Sequence, residues 1–216
     1  MASEPTAQLA VVVPVLDEAA IIRQLLLPLQ PFRGNGLEVL VVDGGSGDGT
    51  VALATPLCDR LVTSPPGRAR QMNAGWRQST ADMLWFVHAD CGVGEHHVKA
   101  MMAASEAGAN WGFFTIRLKS PRAAFRVIER GINIRSRLTR LGTGDQGLFV
   151  RRSMLEAAGG FADLPLMEDL ALCKRLRRKS RPKVLSPPLE TSTRRWEQGG
   201  IARTVILMWL LRGAWS

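Results

Sequence analysis

The sequence passes from an apolar run into a polar, glycine-rich turn at Val41-Val42-Asp43-Gly44-Gly45-Ser46-Gly47-Asp48-Gly49-Thr50. The apolar run predicts a buried strand at 38–42, and a helix is expected from about Thr50. Glycines let the backbone approach a ligand closely, and Asp43 at the strand end could accept hydrogen bonds from a base or ribose. The stretch is not a P-loop, because no Gly-Lys-Ser/Thr ends it. An ordinary turn between strand and helix is the alternative interpretation.

The same alternation of strand and helix continues on both sides of this stretch. Strands are predicted at 9–15, 60–63 and 83–88, and helices at 18–29 and 67–79. Such alternation predicts an α/β fold of three layers, α/β/α, around a mainly parallel sheet. Ligands bind such sheets at the carboxyl ends of the strands. Polar residues stand at those ends here, namely Glu18, Asp43 and Asp90.

The second half of the chain has a different pattern. We predict strands at 111–118 and 148–150, a basic helix at 121–141, a glycine-rich turn at 142–147 and helices at 153–158 and 170–178. Three prolines punctuate the segment after residue 178, and the apolar residues from 199 onward predict an amphipathic helix. The chain is therefore interpreted as one domain, residues 1–216, with a nucleotide-binding half (9–92), an acceptor half (93–198) and a C-terminal helix (199–216).

Composition narrows the partners and the compartment. The 216 residues carry a formal net charge of +9 and a pI of about 10.6, which favours an anionic partner: nucleic acid, an acidic membrane or a phosphorylated small molecule. The three cysteines lack paired or CxxC spacing, as is typical of a reducing compartment. No signal peptide is evident, and the apolar run 205–211 is far shorter than the roughly 20 residues of a membrane-spanning helix. We expect a cytoplasmic protein, with a peripheral position at the inner membrane face as a variant.

Two further acidic motifs have the residue types of a metal-assisted reaction. Asp90 follows a hydrophobic strand and is preceded by His88, a pair suited to Mg²⁺ or Mn²⁺ that bridges two phosphates. The alternative is a helix N-cap at Asp90 beside a core histidine. Glu168-Asp169 begins a helix, where a carboxylate could take a proton from an acceptor hydroxyl. A plain acidic first turn, stabilised by the helix dipole, is the alternative there.

In order and spacing, these motifs resemble glycosyltransferase family 2. The nucleotide half matches at 11–18, 42–50 and 67–75, and His88-Ala89-Asp90 stands where the family has its D-x-D metal motif. The acceptor half matches at 144–147, 151–152, 159–161 and 168–169, so the resemblance covers roughly residues 9 to 197. A compact bacterial subgroup with the His-Ala-Asp variant, associated with radical-SAM genes and arsenosugar synthesis, is the most similar.

The resemblance implies a glycosyltransferase A-type fold and an inverting single displacement. It implies that Asp90, with His88, holds Mn²⁺ or Mg²⁺ and that Asp169 is the general base. The residues implied around the donor or acceptor are Pro14, Glu18, Asp43, Arg68, Asp145, Arg195 and Trp196. Two departures matter: His88 replaces the first aspartate of D-x-D, and Ser192 replaces the glutamine of the Q-x-x-R-W motif that Arg195-Trp196 would end. The second makes a processive polymer synthase doubtful.

The predicted function is transfer of a sugar from a nucleotide-diphosphate donor to a small-molecule or lipid-linked acceptor. A sugar-1-phosphate nucleotidyltransferase is one alternative, but it would need a glycine-rich, basic loop where residues 14–18 read Pro-Val-Leu-Asp-Glu. A basic nucleotide- or nucleic-acid-binding module is the other. Its only support is the net charge, since no stacking-aromatic motif appears, and we expect no nucleic acid partner. The C-terminal helix could pack on its own domain, form a homodimer contact or lie on a membrane surface.

Overall fold

The apolar run Leu9–Val15 forms β1, the strand around which the first half of the chain is organised. The computed structural model describes residues 8–193, and in it all seven side chains of β1 are buried. Val11 and Val13 enter the core on one face of the sheet and Val12 enters the core on the other. Helices cover both faces, so the run needs no polar alternation.

Eight strands form one mixed sheet in the order β3-β2-β1-β4-β7-β6-β8-β5. The strands other than β1 are β2 (Leu37–Asp43), β3 (Arg60–Thr63), β4 (Met83–Phe86), β5 (Cys91–Gly92), β6 (Trp111–Leu118), β7 (Phe149–Arg151) and β8 (Lys183–Thr191). β1 to β4 are parallel, β6 and β8 are parallel, and β7 and β5 run antiparallel to their neighbours. The predicted α/β fold with a largely parallel sheet is confirmed.

Seven α-helices connect the strands of the described residues. They are α1 (Ile22–Leu26), α2 (Thr50–Ala54), α3 (Arg68–Gln78), α4 (Glu95–Glu106), α5 (Ala123–Thr139), α6 (Arg152–Ala157) and α7 (Glu168–Leu176). Single 3-10 segments occupy Leu27–Phe32, Thr55–Leu57 and Gly144–Gln146. Among these helices, none is long and apolar enough to cross a membrane.

The strand order reverses direction at β1. The chain adds β2 and β3 on one side of β1 and then returns to add β4 on the other. Parallel sheets open a crevice at the carboxyl ends of the strands where the order reverses. The loops after β1 and β4 therefore border the crevice in which a ligand is expected.

The prediction of a helix at 18–29 was wrong in its bounds. The α-helix starts only at Ile22, after a turn at 19–21 in which the N–H groups of Ile21 and Ile22 both donate to Glu18 O. It ends at Leu26 and continues as the 3-10 segment Leu27–Phe32, since Pro28 has no N–H to donate to an α-helical ladder.

Strand β8 was missed from the sequence, because its prolines indicated punctuation. β8 pairs in parallel with β6, and the register shifts between Phe114 and Ile116, opposite Leu185 and Leu189. The two prolines of the strand fall within that irregular part, where a ladder hydrogen bond is not required.

Helix α3 packs unusually close to the sheet at Gly75. An alanine Cβ at this position would lie 2.5 Å from Val12 Cγ1 and 2.7 Å from Val42 Cγ2. Both valines are fully buried in the sheet, so neither can move aside freely. Gly75 thus sets the distance between α3 and the two central strands.

We expect opposite effects from two helical Gly→Ala substitutions. Gly75→Ala should lower the free energy of unfolding by about 1–3 kcal/mol through overpacking. Gly131→Ala, in α5 with open space around the added methyl group, should raise it by roughly 0.5–1 kcal/mol through helix propensity. Urea unfolding of both variants checks the pair, and destabilisation of similar size in both would contradict the close α3 packing.

Candidate active site

Four hydrogen bonds join the loop after β1 to the loop after β2. They run from Asp17 N to Ser46 Oγ (2.9 Å), Glu18 N to Thr50 Oγ1 (2.8 Å), Ala19 N to Asp48 Oδ2 (3.0 Å) and Gly47 N to Asp17 Oδ1 (2.8 Å). Asp17 has a left-handed backbone, φ 54°, which turns the loop back toward its partner. The Asp48 carboxylate accepts hydrogen bonds from the Thr50 hydroxyl and the Ala19 N–H. These bonds lower the pKa of Asp48, the Thr50 hydroxyl having the larger effect, and so favour its charged form. The two loops therefore form one unit.

Asp43 holds its own loop in shape. Its carboxylate accepts hydrogen bonds from the N–H groups of Gly45 (3.0 Å) and Ser46 (3.1 Å), and the residue is buried at the end of β2. Its predicted contact with a base or ribose stays a prediction. The observed bonds give it a structural part in the site as well.

Gln71 links the ends of β1 and β2 beneath the site, a role that was not predicted from the sequence. Its Nε2 donates to Val15 O (2.7 Å) and Val42 O (2.8 Å), the backbone carbonyls near the ends of β1 and β2. Gly44 lies directly against it, since an added Cβ would be 3.1 Å from Gln71 Nε2. Its role could have been suspected from the sequence, because an amide side chain at a position of α3 that faces the sheet needs hydrogen-bond partners there.

A cavity of about 460 Å³ opens at the carboxyl ends of β1 and β4. Five residues singled out from the sequence line it: Pro14, Glu18, Arg68, His88 and Asp90. Gln71 and Ser192 contribute to the same wall. The cavity thus combines a guanidinium group, two carboxylates and an imidazole at the reversal of the strand order, as a phosphorylated ligand with a bound cation would require.

His88, which follows β4, connects the loop after that strand to the segment before β7. The imidazole is buried, and its Nδ1 lies 3.6 Å from Asp145 Oδ1. Its ring rests against Gly144, where any side chain would collide with the imidazole. The N–H of Gly144 in turn donates to Asp169 Oδ2. The predicted residues Asp145 and Asp169 are therefore brought beside the cavity through His88 and Gly144.

Asp169 lies in the first turn of α7 and, among the described residues, is the carboxyl group with a large pKa shift. Burial and the adjacent negative charge of Glu168 raise its pKa from 3.8 to about 6, against the opposing N–H donors of Gly144 and Leu170. The group therefore takes up a proton far more readily than an ordinary aspartate. Because the folded pKa is above the unfolded value, its contribution to stability is full below pH 3.8 and is lost as pH rises through about 6.

The donor set suits a divalent cation shared with a phosphorylated ligand. In the part of the chain that the structure describes, no three His, Cys, Asp or Glu side chains converge on one point. Mg²⁺ and similar ions need only one or two protein carboxylates when phosphate oxygens and water complete the shell. Asp90 in the cavity wall offers such a carboxylate. His88 directs Nδ1 to Asp145, so its predicted part in metal binding remains a prediction.

A second cavity, of about 160 Å³, adjoins the first. The two share Ala89, Asp90 and Ser192, and Lys119 and Glu190 are among the charged residues on its far side. Asp90 thus lies where two spaces meet. The predicted ligand contacts Arg195 and Trp196, and the predicted helix 199–216, lie outside the described residues.

This arrangement defines a class of protein: an α/β sheet that presents acidic and basic groups to a ligand at its point of strand reversal. Residues 10–156 match the family model described as glycosyl transferase family 2. The match covers more than half of the chain, so the protein belongs to glycosyl transferase family 2.

Individual relatives agree with this membership. The chain is 26% identical, over an alignment of 198 positions that covers 78% of this chain, to a protein described as probable glycosyltransferase YdaM of Bacillus subtilis (strain 168). Its fold is similar to that of S. aureus TarS 1-349 in complex with UDP, with TM-score 0.72, 19% identity and 86% of this chain covered. It is also similar to mannosyltransferase PcManGT from Pyrobaculum calidifontis in complex with GDP-Man and Mn²⁺, with TM-score 0.63, 20% identity and 87% covered. These likenesses confirm the predicted A-type fold.

The chain spans only part of these proteins. It covers 46% of the YdaM sequence, 60% of the TarS chain and 57% of the PcManGT chain.

We expect Thr50→Val to loosen the joined loops. Valine keeps the shape of this fully buried side chain but leaves the Glu18 N–H without its acceptor and removes the hydroxyl that donates to Asp48, which together should cost about 1–3 kcal/mol of unfolding free energy. Thr55→Val is the matched control, because its hydroxyl bonds only Val51 O on the exposed side of the same segment. Urea unfolding and amide exchange at Glu18 test the pair. Equal stability in both variants, with slow exchange at Glu18, would contradict the proposed importance of this bond.

Proposed function

We propose that the protein is an inverting glycosyltransferase that moves a sugar from a nucleotide-diphosphate donor to a hydroxyl group of its acceptor. The observation that carries this proposal is the cavity that gathers Glu18, Arg68 and Asp90 at the strand reversal of a family 2 fold. A nucleotidyltransferase lacks comparable support, because the loop after β1 is acidic and bonded to its neighbour.

The donor would lie across the two joined loops. Pro14 and Glu18 line the cavity from the β1 side, and Arg68 at the first turn of α3 supplies a guanidinium for the diphosphate. Asp43 would stand behind the base or ribose. The structures of TarS and PcManGT carry UDP and GDP-Man, which supports a nucleoside diphosphate of this general kind.

A divalent cation is part of the proposal. Asp90 would hold it together with the donor's phosphates, and when bound it supplies positive charge that stabilises the diphosphate leaving group. The structures of PcManGT and of the Mycobacterium tuberculosis glucosyl-3-phosphoglycerate synthase are complexes with Mn²⁺, and one of the latter enzyme holds Mg²⁺.

Asp169 is proposed as the general base. Its carboxylate would take the proton of the acceptor hydroxyl while that oxygen forms a bond to the anomeric carbon. The bond between that carbon and the phosphate oxygen breaks at the same time, and the electron pair leaves with the diphosphate. Attack from the opposite face inverts the configuration. A pKa of about 6 suits this role, because the group is ionised at neutral pH and is still a stronger base than an ordinary aspartate.

Asp145 and His88 would position the reacting groups. Asp145 lies beside the cavity through its contact with His88 and is proposed to face the donor sugar or the acceptor. The acceptor is proposed to be a small molecule or a lipid-linked one. Membership of the radical-SAM-associated subgroup and a homodimer remain predictions.

Donor binding tests the proposal. We expect one of the UDP-, GDP- or dTDP-sugars to bind in calorimetry with Mn²⁺ and to bind about tenfold or more weakly without it. Asp90→Asn should abolish the gain from metal. Glu95→Gln, the same carboxylate-to-amide change at an exposed site on α4, should leave it intact.

Two results would overturn this reading. Tight, metal-independent binding of RNA with steep salt dependence, and of no sugar nucleotide, would indicate a basic binding module. Formation of pyrophosphate from a nucleoside triphosphate and a sugar-1-phosphate would indicate a nucleotidyltransferase.

The pH profile tests the base. We expect turnover of the wild type to rise with pH through about 6 and then level off, because ionised Asp169 is the active form. Asp169→Asn should lower turnover by roughly 10²–10⁴-fold at every pH, with donor binding retained. Glu156→Gln on the exposed side of α6 is the control. A wild-type profile that stays level down to pH 4 would exclude Asp169 as the titrating base.

A further inference from the structure

One side of α5 is apolar and yet uncovered by any described residue. Val127, Ile134 and Leu138 are 71%, 58% and 79% exposed, and their spacing places them on one side of the helix together with the exposed Arg130 and Arg137. We name these five residues the α5 outer face. Large apolar side chains at this exposure are few in the described chain, and half of them lie here.

The core does not explain the α5 outer face, because α5 is anchored by its other side. Phe125, Ile128 and Ile132 pack with the end of β6. Asn133 bonds both the N–H (2.9 Å) and the carbonyl (3.0 Å) of Ile116, and Glu129 accepts from Leu118 N (3.1 Å). The helix is therefore anchored to β6 by its inner side, and no described residue covers its outer face.

The surroundings of the α5 outer face are strongly basic. Leu138 and Arg140 at the end of α5, with Arg177 and Arg178 beyond α7, line a shallow cavity of about 310 Å³. The one acidic residue of α5, Glu129, lies on the inner side and pairs with Arg126 at 2.7 Å. An apolar strip among arginines that form no ion pair with a described residue calls for a partner that is both anionic and apolar.

We propose that the α5 outer face docks on an anionic lipid bilayer, with its apolar side chains at the level of the headgroups and its arginines on lipid phosphates. An apolar strip flanked by basic residues is the pattern of helices that lie in a membrane interface. Nucleic acid would match the charge, but three exposed aliphatic side chains would gain nothing from a phosphate backbone.

The chain's own residues 194–216 match this surface less well than lipid does. They contain four arginines and one glutamate, so they would bring a net charge of +3 onto a basic surface. A second copy of the α5 outer face would meet the same repulsion. An anionic bilayer satisfies the charge and the apolar strip together.

Docking through α5 would also set the height of the site above the bilayer. Gln146, next to Asp145, donates to Ser136 Oγ on α5 (3.1 Å) and to Phe114 O (3.0 Å). α5 and the loop of Asp145 therefore move as one body. This consequence rests on the proposed function and suits an acceptor held in the membrane, whereas the docking itself does not depend on activity.

Vesicle binding of the full chain tests the inference. The wild type should co-sediment with phosphatidylcholine vesicles that contain about one-quarter phosphatidylglycerol, and only weakly with phosphatidylcholine alone. Val127→Ser/Ile134→Ser/Leu138→Ser and Arg130→Gln/Arg137→Gln should each lower the partition coefficient by about tenfold or more. The controls Leu27→Ser and Arg23→Gln/Lys99→Gln, at exposed sites on other elements, should not.

A fluorescent probe shows which surface makes contact. The native cysteines are buried, so Ile134→Cys and Leu27→Cys can be labelled with an environment-sensitive dye. We expect a blue shift on vesicle addition at residue 134 and none at 27. Vesicle binding without a shift at 134 would assign docking to another segment and overturn the inference. A probe at residue 134 that is blue-shifted already without lipid would also overturn the inference. The same holds if the protein binds RNA as tightly as vesicles and the Val127→Ser/Ile134→Ser/Leu138→Ser variant keeps that RNA binding.

Discussion

The hydrogen bonds between the loops after β1 and β2 are the interaction on which the site depends. Loops at the ends of parallel strands lie beyond the backbone hydrogen bonds of the sheet. Here backbone N–H groups of each loop donate to side-chain oxygens of the other. Gln71 fixes the strand ends beneath them. Pro14, Glu18 and Arg68 can then line one cavity, because the segments that contain them are linked by these hydrogen bonds.

A second constraint joins the two halves of the sheet at His88. The imidazole follows β4, contacts Asp145 and packs against Gly144, whose N–H bonds Asp169. His88, which stands in place of the first aspartate of the family's D-x-D motif, thus contacts the carboxylate of Asp145. This arrangement gives a physical reason for a histidine at that position: it fills the space above a glycine and presents nitrogen to Asp145.

Much of the fold could be predicted because buried parallel strands are continuous apolar runs. The strands at 9–15 and 60–63 and the helix near 68–78 follow from local pattern, and acidic residues at strand ends indicated the crevice. What failed depends on contacts distant in sequence. The residues just before α1 are bonded to the segment after β2, and β8 accommodates its prolines where the pairing with β6 shifts register. Gln71 acts through carbonyls 56 and 29 residues away, which no local pattern reveals.

Anomalous scattering from Mn²⁺ in crystals grown with a nucleoside diphosphate tests most directly whether Asp90 holds a metal together with the diphosphate. We expect one strong peak within bonding distance of the Asp90 carboxylate and of the diphosphate, with Arg68 on the same phosphates and the base beside the joined loops. A nucleotide bound elsewhere on the protein, or a metal peak remote from Asp90, would contradict the account.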